Sequence, residues 1–226
     1  QNALDDIENS IRKNSGLVRV LVIDSVVAGY FSFGFDLPTL AKSEYSYIYK
    51  MLSSYLELIR RLVIFPLPVI AFIEGRCIAG GMVLALAADY RMSVGNKSRF
   101  MLNEVNLNIP FPRGVVELVE GICGRVKSRE LLSSGRSLRP EEAVNAGLID
   151  EHLNPENAKD RLENRIRYFA SRPSFGFQKL KQARMESIAN TMADDLRREK
   201  VYELLVEITS PETKQKIDKL LKRLDL

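Results

Sequence analysis

Three short segments hold the residues able to do chemistry. They are Phe31-Ser32-Phe33-Gly34-Phe35-Asp36-Leu37, Glu74-Gly75-Arg76-Cys77-Ile78-Ala79-Gly80-Gly81-Met82, and Phe100-Met101-Leu102-Asn103-Glu104-Val105-Asn106-Leu107. Each mixes glycine or a turn residue with a carboxylate. Glycine lets a backbone turn sharply, start a helix close to a strand, or approach a ligand. A carboxylate such as Glu104 caps a turn, faces solvent, or moves a proton. Other chemistries find less support. Cys77 and Cys123 are too few for a disulfide framework or a zinc site. His152 is the single histidine, with no nucleophile or acid placed to work with it. No phosphate-loop signature occurs.

The elements that must position these segments follow from periodicity. Asn2–Lys13 reads as a short amphipathic helix, and Leu17–Ile23 as a buried strand. Ala28–Leu37 reads as a loop. Glu44–Leu62 has helical spacing and is stopped by Pro66 and Pro68. Val69–Ile73 is a second buried strand, Gly80–Ala88 a small-residue helix, and Tyr90–Val94 a third strand ended by a turn at Gly95-Asn96. Phe100–Leu102 is a short strand leading into Asn103-Glu104. Helices are expected at Gly114–Ile122, Ser128–Ser134 and Pro140–Ala146, the last with Pro and acids in its first turn. Leu148-Ile149-Asp150 is strand-like. Long helices follow at Pro155–Ser171, Ser174–Ile208 (with breaks) and Pro211–Leu224. Alternating strands and helices, then a helical third, define an α/β class. No repeat is evident.

Bulk properties agree. The 226 residues, 46% of them hydrophobic, suit one large domain with a real core. Charged residues at 27% with no polar tract argue against bulk disorder. Net charge is +4, but the basic residues are scattered among acids, so nucleic-acid binding is not expected. Only Lys214–Arg223 is locally basic, as a solvated helix face. Apolar runs such as Leu62–Ile73 are too short to span a bilayer, so no membrane insertion is expected. No cationic-then-apolar leader opens the chain, and Gln1-Asn2-Ala3-Leu4 already resembles a helix start. The expectation is that a leader or first strand precedes it. Leu224-Asp225-Leu226 carries no address. A soluble protein of the cytoplasm or an organelle matrix is expected.

Taken in order, the motifs resemble the enoyl-CoA hydratase/isomerase (crotonase) family across nearly the whole chain. The family pattern F-S-x-G-x-D-L matches Phe31–Leu37, and P-x-I-A-x-x-x-G matches Pro68–Gly75. The glycine triplet matches Ala79–Gly81, D-Y-R matches Asp89-Tyr90-Arg91, and A-x-x-x-G-L-[IV]-D matches Ala143–Asp150. The resemblance implies a ββα spiral core over 1–155, its first strand missing, and a helical trimerisation region over 156–226. It implies a homotrimer or a dimer of trimers.

The resemblance also assigns roles. The backbone N–H groups of Phe35 and Gly80 would form an oxyanion hole for a thioester carbonyl, one such donor being worth roughly 2.7–4 kcal/mol. Gly80 opens a helix, so free amides and the dipole would face the oxygen. Ser32, Phe33, Gly34, Asp36 and Gly81 would contact the substrate, with the adenine of coenzyme A near Ser32–Asp36. Family hydratases use two glutamates, but Val83 stands at the first position and only Glu104 remains. That pattern resembles the Δ3,Δ2-enoyl-CoA isomerase branch of fatty acid metabolism. Glu104 would take a proton from carbon 2 and return it at carbon 4. Burial beside Leu107 and Ile109 would strengthen it as a base. The rivals are a hydratase, another enolate-forming member such as a decarboxylase, and a non-catalytic acyl-CoA-binding homologue. No metal is implied, and no cofactor beyond the coenzyme A that is part of the substrate. Departures from the pattern are Asn108, where glycine is frequent, and Pro110 and Pro112 after it. Phe111-Pro112 stand where a dehalogenase-type aspartate would be. Asn103 reads as a turn residue, Cys77 as small and buried, and His152 as a surface or packing residue.

Overall fold

The computed structural model describes residues 18–223, together with residues 5, 6 and 9. The expected helix over 2–13 falls mostly outside them, although residues 5, 6 and 9 are helical. Its core is one parallel sheet. Strand β1 (Leu21–Ile23), β3 (Val69–Ile78), β4 (Tyr90–Met101) and β5 (Glu151–Leu153) lie in that order, and β2 (Tyr30–Ser32) pairs with the far half of β3. Val69, Ile70, Ala71 and Ile73 of β3 are completely buried. Such an unbroken apolar run is what a strand covered on both faces requires.

The two central strands turn a corner together. Glu74 pairs with Val94, but the next pair is Arg76 with Arg99, so residues 95–98 stand opposite Gly75 alone. Gly75 and Gly95 both have positive φ, at 102° and 71°. The Ser98 hydroxyl accepts from the Gly75 amide at 3.1 Å and donates to the Val94 carbonyl at 2.8 Å, pinning the corner. The expected turn at Gly95-Asn96 is therefore a bend inside β4, and the two expected strands are one. Ala28–Leu37 is likewise not all loop, because it pairs as β2 and then opens helix α1 (Leu37–Lys42). The strand expected at Leu148–Asp150 forms one step later, as β5: Leu148 and Ile149 bond back to Ala143 and pack in the core instead.

Helix α2 (Tyr45–Val63) buries Ile48, Leu52, Leu56 and Ile59, the stripe its spacing predicts. Helix α3 (Gly80–Leu86) follows β3 after one residue, and a 3-10 turn (Glu104–Leu107) follows β4. Then come α4 (Arg113–Cys123), α5 (Arg125–Ser134), α6 (Pro140–Asn145), α7 (Ala158–Ala170), α8 (Ser174–Asp195), α9 (Arg198–Ile208) and α10 (Pro211–Arg223). Lys181 on α8 reaches Asp89 at 2.7 Å, and Asp89 also accepts from the Val69 amide. This buried pair ties the helical region to the sheet. Helices α9 and α10 share a second apolar cluster with α1 and α2, through Leu40, Ile48, Leu52, Val201, Leu205 and Ile217. No described helix is long and apolar enough to cross a membrane.

Candidate active site

The site is built where β3 ends. Ala79 joins β3 to α3 at φ 51° and ψ −129°, a conformation rare for a residue with a side chain. Three hydrogen bonds hold it there. Its amide donates to the Met101 carbonyl at 2.8 Å, and its carbonyl accepts from Met82 at 2.8 Å and Val83 at 3.1 Å. Strain of this kind costs on the order of 1–3 kcal/mol and persists where surrounding contacts impose it. Here it sets the direction of the next peptide, whose N–H belongs to Gly80.

The first loop presses its backbone against this helix start. A Cβ on Gly34, whose φ is +81°, would sit 2.7 Å from the Gly80 nitrogen. One on Gly81 would sit 2.3 Å from the Ser32 carbonyl oxygen. Only glycine permits this approach. The Ser32 hydroxyl accepts from the Gly34 amide at 3.1 Å. Phe35 and Gly80 both line a cavity of about 690 Å³, and among the described residues neither amide has a hydrogen-bond acceptor. Phe33, Gly34 and Asp36 also line it, whereas Ser32 and Gly81 stand behind the wall as the contact between the two loops.

Glu104 opens the 3-10 turn and lines the same cavity. Its Oε2 is buried without a hydrogen-bond partner. Burial pushes the carboxyl up to about 7, against a smaller downward pull from its own backbone amide. Among the described residues no cation offsets this. The expected apolar neighbours Leu107 and Ile109 line the cavity, as does Val83. Asn103 both makes the turn, its carbonyl accepting from the Asn106 amide at 3.0 Å, and lines the cavity with a buried, unpartnered Oδ1. Asn108 takes φ +61°, the left-handed region that asparagine tolerates best after glycine.

Tyr55 and Arg76 were not singled out by sequence. The Tyr55 hydroxyl donates to the Gly80 carbonyl at 2.7 Å, and its ring meets Phe35 edge-on at 4.9 Å. One side chain thus touches both residues whose amides are free. Its phenol is pushed up, first by burial, then by the charges of Glu104 and Cys77. A tyrosine on the apolar stripe of α2 was the available signal. Arg76 is the one cation among the described residues that line the cavity, beside the tilted ring pair Tyr30 and Phe33. Cys77 is buried and its thiol pushed up by desolvation, so it is a packing residue. His152 lies away from the cavity, between Ser93 at 2.8 Å and Asn96 at 3.2 Å. No group of three His, Cys, Asp or Glu able to hold a metal occurs among the described residues.

The fold is that of a crotonase: the crystal structure of human mitochondrial delta3-delta2-enoyl-CoA isomerase superposes with a TM-score of 0.90, over 98% of this chain and 87% of that one, at 24% identity. The sequence profile described as "Enoyl-CoA hydratase/isomerase" matches residues 2–218, and the chain belongs to that family. Among curated relatives, "Probable enoyl-CoA hydratase 2, mitochondrial" of Arabidopsis thaliana is 30% identical over 87% of this chain and 63% of its own length. "Enoyl-CoA delta isomerase 3" of the same plant is 33% identical over 54% of this chain and 52% of its own. The chain thus spans between about half and two thirds of these relatives.

Proposed function

We propose that the protein is a Δ3,Δ2-enoyl-CoA isomerase in which Glu104 moves one proton along the acyl chain. The carrying observation is that Glu104, its carboxyl pushed up to about 7 by burial, shares one cavity with two unpartnered amides. Glu104 takes a proton from carbon 2 of a 3-enoyl thioester. Electrons move into the carbonyl, and the dienolate oxygen is held by the amides of Phe35 and Gly80. The carboxylic acid then delivers the proton to carbon 4, leaving the double bond between carbons 2 and 3. A base with pKa near the working pH suits both halves of this transfer.

Hydration of a 2-enoyl thioester is the second reading, supported by the hydratase named among the relatives. It asks one residue to activate water while another delivers a proton, and Val83 lines the cavity where the second acid of that arrangement would stand. The test is Glu104→Gln assayed on 3-enoyl-CoA. We expect conversion to fall roughly 10²–10⁴-fold, the usual contribution of a general base. Undiminished turnover would remove Glu104 from the mechanism, and rapid hydration of 2-enoyl-CoA by the unaltered protein would favour the second reading.

A further inference from the structure

The turn that carries Glu104 is gripped from outside while its reactive side chain is left free. The Glu104 carbonyl accepts from the Asn108 and Ile109 amides, which closes the turn. Asn106 donates from Nδ2 to the carbonyl of Gly135, which caps α5, at 3.2 Å. A Cβ on Gly135 would lie 2.7 Å from that nitrogen and 3.2 Å from the Asn103 Cα, so the end of α5 is flush against the turn. On the other side, Asn108 donates from Nδ2 to the Thr213 hydroxyl of α10 at 3.2 Å. Two asparagines thus tie one turn to two helices. Neither bond involves the Glu104 carboxyl, whose Oε2 has no partner.

Thr213 is wholly buried, and its hydroxyl is fully used. The Asn108 side chain and the Ser210 hydroxyl donate to it, at 3.2 and 3.0 Å. It has the carbonyls of Glu207 and Asn108 as acceptors, at 2.9 and 3.2 Å. A hydroxyl offers one donor and two acceptor sites, so α9, the start of α10 and the turn saturate this one together. Helices α9 and α10 line the cavity through Leu204, Ile208, Leu220 and Leu221, and Thr213 is not among the lining residues. Its polar contacts therefore serve the turn rather than the cavity.

We infer that Thr213 is a positioning residue for Glu104: through Asn108 it holds the 3-10 turn to α10, and so fixes where the carboxylate stands relative to carbons 2 and 4. This rests on the isomerase reading above and adds to it a residue outside the cavity. A base that must reach two carbons tolerates little displacement, and a shift of about 1 Å can cost 10²-fold in rate. Freeing the turn also admits water to the carboxyl, which favours its charged form.

The test uses two substitutions that break the same link. Thr213→Val keeps the shape and removes the hydroxyl, and Asn108→Gly keeps the left-handed backbone and removes the donor. The readout is the Glu104 carboxyl itself, followed by NMR of isotope-labelled glutamate and assigned by its loss in Glu104→Gln. In both variants its titration midpoint should fall by about one pH unit or more. The value of kcat should fall roughly tenfold or more, while KM and the affinity for an unreactive saturated thioester hold. Thr213→Ser, which restores the hydroxyl, should match the unaltered protein. Tyr30, Asp36, Tyr55 and Arg76 are the other titratable groups lining the cavity, and no variant alters them. An unmoved midpoint in both variants would overturn the inference, whatever the rate does. If Thr213→Val does not fold, Asn108→Gly decides, and failure of both to fold would overturn a role that is local to the turn. A midpoint that moves in a protein unable to convert 3-enoyl-CoA would refute the isomerase reading and leave the link between Thr213 and Glu104 standing.

Discussion

In the proposed mechanism Glu104 combines two properties that ordinarily oppose each other, a buried oxygen without a donor and a need to carry charge. Burial holds its carboxyl near 7, against 4.5 for an unperturbed glutamate. The folded state therefore keeps the proton over a range where the unfolded chain has lost it. Stability falls as pH rises from about 4.5 to 7, and the loss, about 3 kcal/mol by linkage, persists above that. Glu104→Gln should escape it. Its thermal transition should lie several degrees above that of the unaltered protein at pH 8, with the gain shrinking as pH drops towards 4.5. Under the proposed mechanism activity should run the other way, since Glu104 as base would work only when deprotonated: kcat/KM should rise through pH 7 and level off above it. Tyr55→Phe keeps the ring against Phe35 and removes the bond to Gly80. We expect kcat to fall about fivefold with little change in KM, since only alignment of the amide is disturbed. A change in KM alone would contradict the positioning role. Glu104, Gly34 and Gly80 were legible because each falls in a motif that resembles the family pattern. Tyr55 was not, because its position on α2 satisfies the core spacing whether or not its hydroxyl has work to do.

At the scale of elements, the site depends on two backbone segments touching. A Cβ at Gly81 would lie 2.3 Å from the Ser32 carbonyl oxygen, a main-chain atom rather than the end of a flexible side chain, so it cannot easily give way. Gly81→Ala should destabilise by about 1–3 kcal/mol and impair activity by displacing the first loop. Gly121→Ala is the matched contrast. It is in α4, where its Cβ would meet only Ile188 at 3.4 Å, and alanine there should raise stability by up to about 1 kcal/mol. Thermal denaturation of the two variants should shift in opposite directions. Helix positions were legible from apolar spacing and from prolines such as Pro140 and Pro211. Strand ends were not. Gly95-Asn96 has turn chemistry, yet Ser98 and the partner glycine at 75 let β4 bend and continue. Tyr30–Ser32 looked like loop because its pairing partner is the far half of β3, which no local pattern announces.

Across the whole molecule, chemistry and enclosure come from distant parts of the chain. Sheet and first helices supply the amides and the carboxylate, and the last two helices supply the apolar wall. The family and its α/β architecture were readable because five motifs occur in order. The cavity was not, since α9 and α10 show only that they have an apolar face, and the Asn108–Thr213 contact joins residues 105 positions apart. The central claim is that one carboxylate carries the same hydrogen from carbon 2 to carbon 4. Its most direct test is a single turnover of 3-enoyl-CoA deuterated at carbon 2, in ordinary water, with the product read by mass spectrometry and NMR. The lone-acid mechanism predicts a 2-enoyl thioester with deuterium at carbon 4. A 2-enoyl product carrying solvent hydrogen in place of deuterium at carbon 4, or no conversion of the 3-enoyl thioester, would contradict it.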